Sequence, residues 1–77
     1  MKVDVYPPSD YRSEWLVTCD GTGYAGCANN NDVQDLVRDD APVQAEWDSE
    51  SGQFFAYLNS KEDAKLLAAY IEKILNK

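Results

Sequence analysis

Few residues in this chain have types and spacing that suggest chemistry. Gly21-Thr22-Gly23-Tyr24-Ala25-Gly26 matches the pattern G-x-G-x-x-G. In dinucleotide sites those glycines let backbone approach a pyrophosphate, and a helix opens immediately. Here Tyr24 to Ala28 reads as strand, and a helical pattern begins only after Asn29-Asn30-Asn31. The glycines are therefore predicted to turn a hairpin between the strands Glu14–Cys19 and Tyr24–Ala28. Cys19 and Cys27 could form a redox pair or half of a metal site, but zinc wants four ligands and the chain has no histidine. A four-residue hairpin loop at 20–23 would put the thiols on opposite sheet faces, which argues against a strain-free disulfide. Buried structural thiols are expected, and a redox accessory role through either cysteine is the last-ranked alternative.

The carboxylates offer little more for metals or catalysis. Asp32, Asp35, Asp39 and Asp40 lack the alternate oxygen ligands and distal bidentate Glu of a helix–loop calcium site. Asp48-Ser49-Glu50-Ser51-Gly52 has the acids but a misplaced glycine. Without histidine no His-assisted nucleophile can be assembled. Glu46 and Asp48 would need burial to separate their pKa values, and as near neighbours on a strand's outer face they should be solvated. The expectation is no catalytic residue, no metal, no cofactor and no enzymatic activity.

The chain has 77 residues, of which 44% are apolar and nine are aromatic. That is enough for one domain, residues 1–77, with one small core, and too little for a full dinucleotide fold. Fourteen acids against seven Lys and Arg give a net charge of −7. This excludes direct nucleic-acid binding by a basic patch, because phosphate neutralisation needs excess cations. Met1-Lys2-Val3-Asp4 begins no secretory signal, no run approaches 18 apolar residues, and two cysteines make no disulfide framework. A cytoplasmic location without membrane association is the default expectation.

The elements follow from periodicity. Ser60 to Asn76 is the clearest, with Ala64, Leu67, Ala68, Ile71, Ile74 and Leu75 on one helical stripe. Ser60 and Asp63 form a capping-box-like start, and Lys73 and Lys77 sit where the macrodipole favours cations. Val43 to Asp48 alternates at the strand period, and Gln53 to Leu58 is a second β-prone run. Pairing Asp48 with Gln53 would set Trp47, Ala45 and Val43 against Phe54, Ala56 and Leu58 on the core side. The outer face would then carry Gln44, Glu46 and Asp48 beside Phe55 and Tyr57. Upstream, Asn31 is read as the cap of a short helix with Val33, Leu36 and Val37 on one face, ending before Pro42. Residues 2–6 supply an edge strand. Asp20 and Asp48 lie 28 apart, and Asn31 and Ser60 lie 29 apart, which suggests two ββα-like units. The predicted fold is α+β: a small antiparallel sheet of four to five strands, with a long C-terminal amphipathic helix on one face and a second, short helix.

Charge is the most informative feature. Residues 61–77 carry three acids against four lysines, so residues 1–60 hold a net −8. Between 32 and 50 seven acids (Asp32, Asp35, Asp39, Asp40, Glu46, Asp48, Glu50) face only Arg38. Such a surface can simply keep a small protein soluble. It can also offer a basic protein a substitute for nucleic-acid phosphate, with Phe55 and Tyr57 as the apolar anchors that interface cores contain. Coverage of those two rings by Tyr6-Pro7-Pro8 and Tyr11, or by a second copy of the chain, is the competing expectation.

In size, charge and sheet-plus-helix layout, with the Asp32-to-Glu50 cluster and the Val43-to-Leu58 hairpin carrying the likeness, the chain resembles small acidic phage-encoded anti-CRISPR inhibitors. The likeness involves no sequence motif, and the lysine-bearing last helix departs from a uniformly acidic mimic. It implies a stoichiometric DNA-mimic inhibitor whose partner is a basic nucleic-acid-binding subunit of a CRISPR effector of the type I (Cascade-like) kind. The implied partner-binding residues are the seven acids together with Phe55 and Tyr57. The alternative is a homodimeric structural or regulatory module that pairs through its exposed sheet face, so both monomer and homodimer are open.

Overall fold

The computed structural model describes residues 1–76; the expectation for Lys77 falls outside them. The element order is β1 (Asp4–Tyr6), β2 (Trp15–Cys19), α1 (Asn30–Asp39), β3 (Glu46–Trp47), β4 (Phe54–Leu58) and α2 (Lys61–Leu75). The four strands form one antiparallel sheet in the order β1-β2-β4-β3. This is the α+β arrangement expected.

Strand parity divides the sheet into two faces. Val5, Val17, Ala56 and Trp47 lie in register across all four strands on one side. With Cys19, Phe54 and Leu58 they meet Val33 and Val37 of α1 and Ala64, Leu67, Ile71 and Leu75 of α2 in a single core. Both helices therefore cover the same face. On α2 the four buried residues recur at helical spacing, so one stripe packs on the sheet while the lysines stay in water. The Ser60 hydroxyl accepts the Asp63 N–H at 3.1 Å, capping the first turn as expected.

Several expectations are corrected. The Tyr24–Ala28 strand does not form, and the glycine motif is not a hairpin. Gly23, Ala25 and Gly26 all have positive φ (87°, 50° and 77°), which a strand does not tolerate. The segment folds into consecutive turns closed by Tyr24 N–H to Gly21 O and Cys27 N–H to Tyr24 O. The partner of β2 is β1 and not the expected Tyr24–Ala28 strand, so the first ββα unit is built from other strands than the spacing suggested, and the 28- and 29-residue spacings compare positions that are not equivalent. The α1 cap is Asn29, not Asn31; its side chain accepts the N–H groups of Asn31 and Asp32. Leu36 does not join Val33 and Val37 in the core and stays 40% exposed.

The second hairpin also differs in register. Trp47 pairs with Ala56 and Glu46 with Tyr57, two residues along from the expected pairing. The chain reverses at Ser51-Gly52, between the bridged Glu50 and Gln53, and the regular strand is confined to Glu46–Trp47. A slip of two leaves every side chain on its predicted face, whereas a slip of one would invert them all.

Candidate functional site: the bare sheet face and its acidic edge

Neither helix covers the other face of the sheet. Two rows of side chains cross it in register: Asp4, Thr18, Phe55 and Asp48, then Tyr6, Leu16, Tyr57 and Glu46. Asp48 takes its place opposite Phe55 by donating its N–H to the Phe55 carbonyl at 3.1 Å. Each row thus has an aromatic residue in the middle, beside Thr18 in the first row and Leu16 in the second, and a carboxylate on the β3 edge. Leu16, Phe55 and Tyr57 are half-buried, and Tyr6 is 48% exposed. Tyr6 pairs alongside Leu16, and Tyr11 is 99% exposed. Tyr11 therefore covers neither Phe55 nor Tyr57.

Thr18 is the buried polar member of the face. Its hydroxyl donates to the Phe54 carbonyl at 2.7 Å and accepts from Gln53 Nε2 at 2.8 Å. Beyond the second row lies a shallow cleft of about 250 Å³, formed by Glu14, Gln44, Glu46, Tyr57 and Asn59. Two acidic residues, two amide residues and a tyrosine border this cleft, a set suited to a cationic or hydrogen-bond-donating group.

The predicted partner-binding residues divide into two groups. Glu46, Asp48, Phe55 and Tyr57 come together on the bare face, and Glu50 follows at the turn opposite Gln53. Asp32, Asp35 and Asp39 form a stripe along exposed α1, in the layer on the opposite side of the sheet, with Asp40 at the helix end. The seven acids therefore do not make one flat patch; they flank the β3 edge from two sides. Gln34 holds α1 at that edge by accepting the Ser49 N–H at 2.8 Å.

Some helix acids already have local partners. Asp32 accepts the Ala28 N–H at 3.0 Å, completing the N-terminal cap, and Asp35 pairs with Arg38 at 3.1 Å. Asp39 and Asp40 lie at the negative end of the α1 macrodipole, an unfavourable place for carboxylates. They border a second cleft with Ala25, Leu36, Tyr70 and Ile74.

The tempting motifs do other work. In the glycine-rich loop the N–H groups of Gly21, Thr22, Gly23, Tyr24 and Cys27 are bonded to Asn30 Oδ1, Asp20 Oδ1, Cys27 O, Gly21 O and Tyr24 O. A phosphate would find those donors already engaged. Cys19 and Cys27 are free and buried. Because Cys27 lies on no strand, the opposite-face argument does not apply, and both thiols belong to the one core. Burial, reinforced by the charges of Asp20 and Asp4, pushes the Cys19 thiol up to about 12. Burial and then Asp32 raise Cys27. Among the described residues no group of three or more His, Cys, Asp or Glu is arranged to hold a metal, and no helix is long and apolar enough to cross a membrane.

Asp4, Tyr6, Glu14 and Leu16 were missed as members of this surface. Alternation in residues 2–6 was a signal for β1, but their place beside Phe55 and Tyr57 depends on register across three strands. Comparison with protein-family models, curated proteins and solved structures finds no match for this chain.

Proposed function

We propose that this chain is a non-catalytic inhibitor of the anti-CRISPR kind, which occupies the DNA-binding surface of a basic defence complex, with a type I Cascade-like effector as the partner class. The observation that carries this reading is the pair of carboxylate ranks beside β3. Glu46, Asp48 and Glu50 alternate along one rank, about 6.8 Å apart at strand spacing. Asp32, Asp35 and Asp39 span about 10 Å of helix in the other. Double-stranded DNA likewise presents two lines of charge, at about 3.4 Å of axis per charge on each strand. Asp39 and Asp40 support the reading further, since carboxylates at a helix C-terminus oppose the macrodipole and suit a role outside folding.

The test is DNA binding by a purified type I effector complex with and without a stoichiometric amount of this protein. Loss of DNA binding is expected, with release of this protein from the effector at high salt. Reversing the charge of Asp39, Asp40, Glu46 and Asp48 together should abolish inhibition while leaving the fold intact, and full potency in that variant would refute charge mimicry.

A homodimeric module is the second reading, favoured by the exposed Tyr6 and the half-buried Leu16, Phe55 and Tyr57. It predicts a dimer by light scattering that Phe55→Glu converts to a monomer.

A further inference from the structure

The bare sheet face has a shape and charge more specific than a generic anionic surface. Its centre is Leu16, Phe55 and Tyr57, and carboxylates stand at both edges, Asp4 on β1, Glu46 on β3 and Asp48 just after it. Lys2 reaches Asp4 at 3.5 Å from a largely exposed position. Arg12, beside the Glu14 end, turns its guanidinium onto the backbone oxygens of Glu14 and Pro7, at 3.0 and 2.8 Å. None of the strand positions on this face carries a cation.

We infer that this face receives one arginine-bearing segment of the basic partner, with a guanidinium seated over Tyr57 between Glu14 and Glu46. This rests on the reading of the chain as a binder of a basic protein and identifies the surface that does the binding. Charge decides the occupant: a second copy packed here would set each acidic rim against its own like. Size agrees, because four strands span about 14 Å, which is wide enough for one helix or strand pair. Arginine fits better than lysine because a planar guanidinium can stack on Tyr57 while forking to carboxylates, whereas an ammonium is a strongly hydrated point charge.

The test is amide chemical-shift titration of the ¹⁵N-labelled full chain with hexa-arginine and hexa-lysine peptides at physiological salt. Shifts should concentrate at Leu16, Thr18, Phe55 and Tyr57, with hexa-arginine binding about fivefold more tightly than hexa-lysine. Tyr57→Ser should weaken hexa-arginine about tenfold, while Glu62→Gln with Glu72→Gln, exposed on α2, changes it less than about twofold. Retained amide dispersion in Tyr57→Ser shows that the loss is not unfolding, and Tyr57→Phe, which keeps the ring, should restore binding. Equal affinity for the two peptides, or shifts confined to α1, would overturn the inference. So would concentration-dependent dimerisation broadening the same amides, which would assign the face to a second copy. Peptide binding at this face without inhibition of an effector would sink the inhibitor reading alone. Inhibition with peptide shifts only on α1 would sink the arginine face alone.

Discussion

Asn30 holds Ser51 with both of its nitrogens: the backbone N–H and side-chain Nδ2 each donate to the Ser51 carbonyl at 3.1 Å. The same side chain accepts the Gly21 N–H through Oδ1 at 2.8 Å and donates to Asp20 Oδ1 at 3.1 Å. One fully buried amide thus ties the exit of β2, the start of α1 and the β3–β4 turn. It fixes the helix stripe beside the edge-strand acids.

Asn30→Ala should therefore destabilise the fold by about 2–3 kcal/mol, because the buried Gly21 N–H loses its acceptor and the Ser51 carbonyl loses a donor. Urea unfolding would measure the loss. A change below about 0.5 kcal/mol would mean water replaces the amide at little cost.

Gly21 is buried against the same corner. A Cβ there would lie 2.7 Å from Val33 Cγ2 and 3.1 Å from Leu75 Cδ1, so Gly21→Ala should cost about 1–3 kcal/mol by overpacking. Val33→Ala on its own removes core volume, yet in the double variant it should relieve part of that clash. A double-mutant cycle by thermal unfolding should give a less-than-additive loss.

Phe54 and Phe55 are sequence neighbours with opposite fates. Phe54 is fully buried and meets the Trp47 ring edge-on at 6.2 Å, so Phe54→Ala should cost about 3–5 kcal/mol. Phe55 lies half-buried on the bare face, and Phe55→Ala should cost less than about 1.5 kcal/mol. Comparable losses in denaturant titrations would show that something covers the bare face.

Replacing Asp39 by Asn removes a carboxylate from the negative end of α1 and should raise stability by about 0.3–1 kcal/mol at low salt. Inhibitory potency should fall at the same time if Asp39 contacts the partner. Parallel thermal melts and DNA-competition assays would show the two effects moving in opposite directions.

The Cys19 thiol titrates near 12 in the folded chain, against an ordinary 9.0. With a raised folded value, its contribution is fully present below about pH 9 and is lost as pH rises towards 12. Stability measured by urea unfolding should fall across that window, and the fall should be shallower in Cys19→Ala. Asp20 has the opposite sign. The Thr22 N–H, then the Asn30 side chain, hold its carboxyl below the ordinary value of 3.8, so its contribution is present above that value and is lost on acidification.

Local pattern alone determined much of this protein. The α2 stripe, the Ser60 cap, the β2 and β4 strands and the core or outer side of Trp47, Phe55 and Tyr57 follow from periods of 3.6 and 2. The two-residue register error was harmless for the same reason, since side chains repeat every second residue. Tertiary structure decided the rest. The loop at 20–29 needs three left-handed residues and the Asn30 amide, whose partners lie 9, 10 and 21 residues away in the chain. The acids of 32–50 form one run in sequence but stand on two sides of the β3 edge. Their separation follows from β3 directing Glu46 away from the layer in which α1 packs, a relation between elements that no local pattern contains.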